Sequence, residues 1–223
     1  MESNIITKKS NGDKPSIMGM IVSPSLQFER MKNNNTMWGA FWLVTILTGI
    51  VNVINIYAYT QSSEGIKQNG TLGSGVSISE QLFIGFFTGS IAAIVGFFSI
   101  AVVYKVLMIF MGNDTSYKKI FTISIYGSVI TTFGLFINGI LSIILGGTGE
   151  ELYTSLGPLF SSSSNIVHTI MNSFEIFSIW GLMVYALGLY IVAGLSKKQA
   201  LIVVLIFFII SLGFNLLGNT IFG

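Results

Sequence analysis

Few side chains in this sequence combine a type and a setting suited to chemistry, and Glu175 leads them because it lies inside an apolar run. A carboxylate in hydrocarbon is costly, so it is a functional candidate by default: a proton carrier, a cation ligand or a hydrogen-bond anchor. His168 precedes it by two helical turns. On a helix extended outward the two would share a face, and an imidazole beside a carboxylate can exchange a proton near neutral pH. Glu150 and Glu151 add oxygen ligands, but the spacing of these groups matches no metal-site pattern. A structural hydrogen bond is the simpler role for Glu175, and no metal or other cofactor is expected. No Ser–His–acid set, paired membrane aspartates or zinc motif occurs, so no catalytic residue is expected. Gly146-Gly147-Thr148-Gly149 is not a phosphate loop, because no Gly-Lys-Ser/Thr follows it. The chain has no cysteine, which excludes disulfides, thiolate metal sites and cysteine nucleophiles.

The elements that must position these groups are five apolar runs: Trp38–Tyr59, Leu82–Tyr104, Phe121–Leu145, Phe174–Leu195 and Ala200–Ile221. About 20 residues at a rise of 1.5 Å each cross the roughly 30 Å hydrocarbon layer. Backbone amides cannot stay unpaired in lipid, so the runs should be helices. Charged residues make up 9% of the chain, against about a quarter in soluble domains. A soluble fold is excluded.

Orientation follows from the basic residues. Lys8, Lys9, Lys14, Arg30, Lys32, Lys105, Lys118, Lys119, Lys197 and Lys198 fall before the first run or on alternate connections. Lys67 alone falls on the other side. The positive-inside rule then puts the N-terminus in the cytoplasm and the C-terminus outside. The first long apolar run starts well after the basic residues, so no cleaved leader is expected. Ten Lys against one Arg points to an AT-rich, bacterial genome. The expected fold is all-α and membrane-integral, with five transmembrane helices in the bacterial cytoplasmic membrane.

Residues 1–14 read as a mobile cytoplasmic tail, 15–33 as an interfacial amphipathic segment and 34–223 as the five-span domain. Within the second part Ser23-Pro24 has the form of a helix start. Ile21, Phe28 and Met31 supply an apolar face that could lie on the cytoplasmic leaflet, dock a partner or pack beneath the bundle.

Small and polar residues inside the runs follow helical spacing. Gly85, Gly89, Ala92, Gly96 and Ser99 line one face of the second run, and Ser124, Gly127, Thr131, Gly134 and Asn138 one face of the third. Thr45, Thr48, Asn52, Asn55 and Tyr59 do so in the first, and Ser211, Asn215 and Gly218 in the last. In the fourth run Ser178, Tyr185 and Gly188 share the face of Glu175. Small residues let helices approach closely and buried amides hydrogen-bond across them, so packing is the main expected role. The alternative is a polar path for a solute through Glu175, His168, Asn138, Asn52, Asn55 and Asn215. The outer connections, about 61–81 and 146–172, are Gly/Ser/Thr-rich and do not read as folded domains. Ser196-Lys197-Lys198-Gln199 is short enough to force an antiparallel hairpin.

Ile21-Val22-Ser23-Pro24-Ser25-Leu26-Gln27-Phe28-Glu29-Arg30-Met31 followed by Trp38 resembles the opening of bacterial Yip-domain proteins. Tyr117-Lys118-Lys119-Ile120-Phe121 leading to Tyr126 resembles their third span, and Trp180 with Ala186 through Ala200 gives the strongest match. Gly127–Thr131 departs from the family, which commonly has a proline there. The resemblance implies a five-span bundle with a cytoplasmic N-terminus and no catalytic residues. Eukaryotic relatives act in vesicle traffic with small GTPases. The best-described bacterial type, similar to this chain at Lys14-Pro15-Ser16 and Phe28-Glu29-Arg30, is an accessory protein of an ABC-type exporter that protects against a toxic peptide. The function expected is therefore that of a non-enzymatic accessory or assembly partner, with an ABC permease as the suspected partner and no nucleic acid. The alternative is a small-solute or ion conductor.

Overall fold

The computed structural model describes residues 14–33, 37–72, 76–161 and 164–222; the expected tail, apart from Lys14, lies outside them. Helices α1 (Ile17–Val22) and α2 (Pro24–Asn33) precede the long helices α3 (Trp38–Gln61), α5 (Ile78–Phe110) and α6 (Tyr117–Leu145). A short helix α4 (Ser63–Leu72) lies in the connection after α3, and the connection after α6 holds a 3₁₀ turn (Gly157–Phe160) and α7 (Asn165–Asn172). The chain ends with α8 (Ile176–Ile191) and α9 (Lys197–Phe222). Among the described residues there is no β-strand, only one isolated bridge between Ser155 and Glu175.

Helices α3, α5, α6 and α9 are long and apolar enough to cross a membrane. The expected fourth span is shorter. α8 is an apolar helix of 16 residues, about 24 Å at 1.5 Å per residue. Its apolar run continues through Val192, Ala193 and Leu195, but Gly194 at φ +73° ends the helix. Only glycine adopts that left-handed backbone readily.

α6 lies at the centre, with every residue from Ile120 to Ile130 buried. It runs unbroken through Gly127–Thr131, where the family pattern would place a proline. α3 lies parallel to it, as Phe41 against Phe121 and Thr48 against Thr132 show. α8 lies antiparallel, with Tyr185 against Gly127 and Phe177 against Gly134. α3 and α5 pair antiparallel where Gly49 meets Ser90 and Gly89 meets Asn52. Between Gly85 and Ala101 the buried residues of α5 are Gly85, Gly89, Ala93, Phe97 and Ala101, a four-residue row, and Tyr104 and Met108 continue the buried side. That row forms a ridge inclined to the helix axis, and a partner packed along it crosses the helix rather than following an axial stripe. Ala92 and Ser99 are accordingly exposed, and a side chain at Gly96 would meet nothing within 4 Å. Gly96 thus packs against no helix of this chain, contrary to the spacing argument. Gly218, too, faces open space.

The N-terminal segment does not lie free of the bundle. Ser16 caps α1, Ser23–Pro24 divides it from α2, and the two pack on α6 and α8 respectively. Met20, Phe28 and Met31 are core residues, and Ile21 is partly buried against them. Of the three settings open to it, a leaflet, a partner or the underside of the bundle, Phe28 takes the last: it meets Gly188, whose missing side chain makes the room. The apolar residues that this segment exposes are Met18, Val22 and Leu26.

These pairings place Lys14, Arg30, Lys32, Lys105, Lys118, Lys119, Lys197 and Lys198 at one end of the bundle. Lys67, Glu64, Glu80, Glu150, Glu151 and Glu175 lie at the other. The first is called the basic end here and the second the loop end.

Candidate functional site

The polar groups singled out by the sequence gather at the loop end, where the 146–164 connection folds back over α6 and α8. Glu175 is not within a helix. It is the N-cap of α8, with extended backbone, and it is 4% exposed. Its carboxylate accepts hydrogen bonds from the Phe177 amide (3.1 Å) and the Ser178 amide (2.6 Å). A negative charge suits the positive end of the helix dipole, and the first-turn amides have no helical partner of their own. The Thr154 hydroxyl donates the third bond, at 2.5 Å. Thr154 is held in turn by Asn138, whose Nδ2 donates to Thr154 Oγ1 at 2.8 Å and whose Oδ1 accepts from the Thr154 amide at 3.0 Å. One chain of bonds thus ties α6 to the connection and the connection to α8.

Glu151 performs a similar task one turn away. Its carboxylate accepts from the Thr148 amide (2.8 Å) and hydroxyl (3.0 Å) and from the Gly149 amide (3.0 Å). Burial alone would raise its pKa. The hydrogen bonds outweigh burial and hold the group below its ordinary value of 4.5. Gly149, at φ +85°, lies against the Asn55 backbone, where no side chain would fit.

His168 does not reach Glu175. A break at Ser173–Phe174 separates α7 from α8, and the imidazole pairs with Asn172 at 3.4 Å instead. Among the described residues, no group of three or more His, Asp or Glu side chains is placed to hold a metal ion. Asn52 donates to the Gly85 carbonyl at 2.7 Å and so ties α3 to α5. Asn55 Oδ1 is buried without a hydrogen-bond partner, close to Gly139. Asn215 is exposed on α9.

Next to this network lies a cavity of about 410 Å³ between α5, α6, α8 and α9, roofed by α7 and Leu152. Thr131, Ser178, Ser211 and Asn215 give it polar walls, and Tyr185, Phe207 and Phe208 aromatic ones. No charged residue lines it. Behind two of these rings Tyr104, fully buried, lies 5.5 Å from Tyr185 and 4.9 Å from Phe207. Tyr185 and Phe207 thus give the cavity an aromatic wall on that side.

The sequence reading did not single out Thr154, the residue that joins the two candidates Asn138 and Glu175. Its signal was weak, being one hydroxyl in a Gly/Ser/Thr-rich loop. Gly49, which packs against Ser90 and Phe86, was also missed, although it lies one helical turn from Asn52 on the packed face.

The Yip1 domain family matches residues 18–218. Membrane protein YknW of Bacillus subtilis (strain 168) is 33% identical over 229 residues, which cover 99% of this chain and 97% of that protein. No solved structure matches the chain. The chain belongs to the Yip1 domain family, as its motifs implied.

Proposed function

We propose that this Yip1-domain protein is non-enzymatic and works by contact within the membrane, as an accessory or assembly partner of a larger membrane complex. The observation that carries this reading is that the strongest chemical candidates are used up by the fold. Glu175 and Asn138 hold the loop end together, Asn52 ties α3 to α5, and the rings Tyr104, Tyr185 and Phe207 pack together beside the adjacent cavity. Among the described residues the groups best suited to chemistry are engaged in holding the fold, which favours surfaces as the means of action. The resemblance to the bacterial Yip-domain type described above is what suggests an ABC permease as the partner class, and a protective role against a toxic peptide would follow from that partnership. In this reading α8 joins the four longer helices as a fifth span in the bacterial cytoplasmic membrane, with the basic end in the cytoplasm.

Purification from native membranes in mild detergent tests the proposal. It predicts that an ABC permease comes down in fixed ratio with the chain, and that the chain alone passes no solute in liposomes. The second reading, a solute conductor, is favoured by the polar-walled cavity. A chain that purifies alone and conducts would replace the first reading with the second.

A further inference from the structure

At the basic end two cavities of opposite character adjoin. One is polar, about 640 Å³, and lies between α2, the α5–α6 turn and the end of α8, with Lys32 and Lys119 in its wall. The other is an apolar groove of about 710 Å³ along the α8–α9 hairpin, running from Ser25 and Lys197 down to Ile179 and Leu205. Tyr190 and Ile191 line both, so the groove opens where the polar cavity ends. At that junction Lys197 Nζ stands 5.7 Å from the centre of the Tyr190 ring. Along α8 the groove covers Ile179 to Ile191, about 18 Å at 1.5 Å per residue. That matches the depth of one leaflet, about half of a 30 Å hydrocarbon layer.

We infer that the two cavities together bind one anionic phospholipid, its phosphate among Lys32, Lys119 and Lys197 and an acyl chain in the groove. Cations followed by an apolar trough reproduce the order of groups in such a lipid. A free phosphate would leave the trough empty, and a zwitterionic lipid would bring its own cation to the lysines. Glu29 is the acid in the polar wall, and it is already paired with Lys32 at 3.5 Å, both side chains about half exposed. Such a pair is weak and yields readily to a phosphate. Basic pockets between membrane helices are suited to anionic headgroups for the same electrostatic reason. Lipid binding here stands whether or not the chain has a protein partner.

Native mass spectrometry of the full chain, loaded with phosphatidylglycerol or phosphatidylcholine of the same chain length, tests the inference. The wild type should retain one phosphatidylglycerol under conditions that strip phosphatidylcholine. Lys32→Gln, Lys119→Gln and Lys197→Gln should each weaken that retention roughly fivefold, and Arg at the same positions should restore most of it. Met183→Ser with Leu201→Ser, which trims the groove at residues 62% and 55% exposed, should weaken both lipids alike. Equal retention of the two lipids by the wild type would overturn the inference. So would unchanged selectivity in the triple Gln variant, full displacement by inorganic phosphate, or a groove variant with unchanged affinity.

Discussion

Replacing Glu175 probes the loop-end network most sharply. Its carboxylate, 4% exposed, accepts three hydrogen bonds, from Thr154, Phe177 and Ser178. Glu175→Leu removes the cap, worth about 0.5–2 kcal/mol. It also takes the acceptor from the Thr154 hydroxyl, at about 1–3 kcal/mol where water does not reach it. A loss of about 2–5 kcal/mol follows. Glu175→Gln keeps one acceptor oxygen but turns an NH₂ toward a donor, so about 1–2 kcal/mol is expected. Glu175→Asp keeps the charge and is a favoured cap, and should cost least. The assay is reversible unfolding in detergent followed by helical circular dichroism, with Thr154→Val added to close a double-mutant cycle. Because Thr154 donates directly to the carboxylate, the Leu and Val changes together should cost about 1 kcal/mol less than their sum. A Leu variant as stable as the wild type, or strict additivity with Thr154→Val, would refute the cap.

Other outcomes follow from the same structure. Glu151 has a lowered pKa, so its stabilisation is full above 4.5 and is lost as pH falls through the folded value. The melting-temperature gap between wild type and Glu151→Gln should therefore be wide at neutral pH and close in acid; a constant gap would contradict this. Gly127→Ala would drive a methyl into the Tyr185 ring and should cost about 1–3 kcal/mol, whereas Gly96→Ala should be neutral or mildly stabilising. Thermal melts of the two variants check the contrast, and equal effects would contradict it. A green fluorescent protein fused after Lys198 should fluoresce and one after Gly223 should be dark, with alkaline phosphatase active at the latter. The reverse at both sites would invert the orientation.

Much of the architecture is legible in the sequence because lipid imposes simple rules. Apolar runs near 20 residues mark long helices, and the polar stripe Ser124, Gly127, Thr131, Gly134, Asn138 marks the face of α6 that meets its neighbours. Family membership is legible too, since Ser-Pro at 23–24 and the motif from Ala186 to Ala200 survive as local patterns. Tertiary choices are not legible. The apolar run from Phe174 hides a helix break, because the signal for the cap comes from Thr154 and the Ser155 bridge, far away in sequence. α5 packs along a four-residue row, which spacing alone could not distinguish from the mixed stripe through Gly96. For Phe28 the sequence leaves leaflet, partner and bundle open, and the choice depends on the hole that Gly188 leaves for it.

The claim that the chain acts by contact is tested most directly by photocrosslinking in intact cells. A benzophenone amino acid would replace, one at a time, exposed apolar residues on different faces: Val22, Leu26, Phe83, Met183 and Phe214. The account predicts that at least one face yields a single discrete adduct with an ABC permease, while the other faces yield none. Lipid adducts alone at every position, under conditions where the chain is expressed and functional, would contradict it.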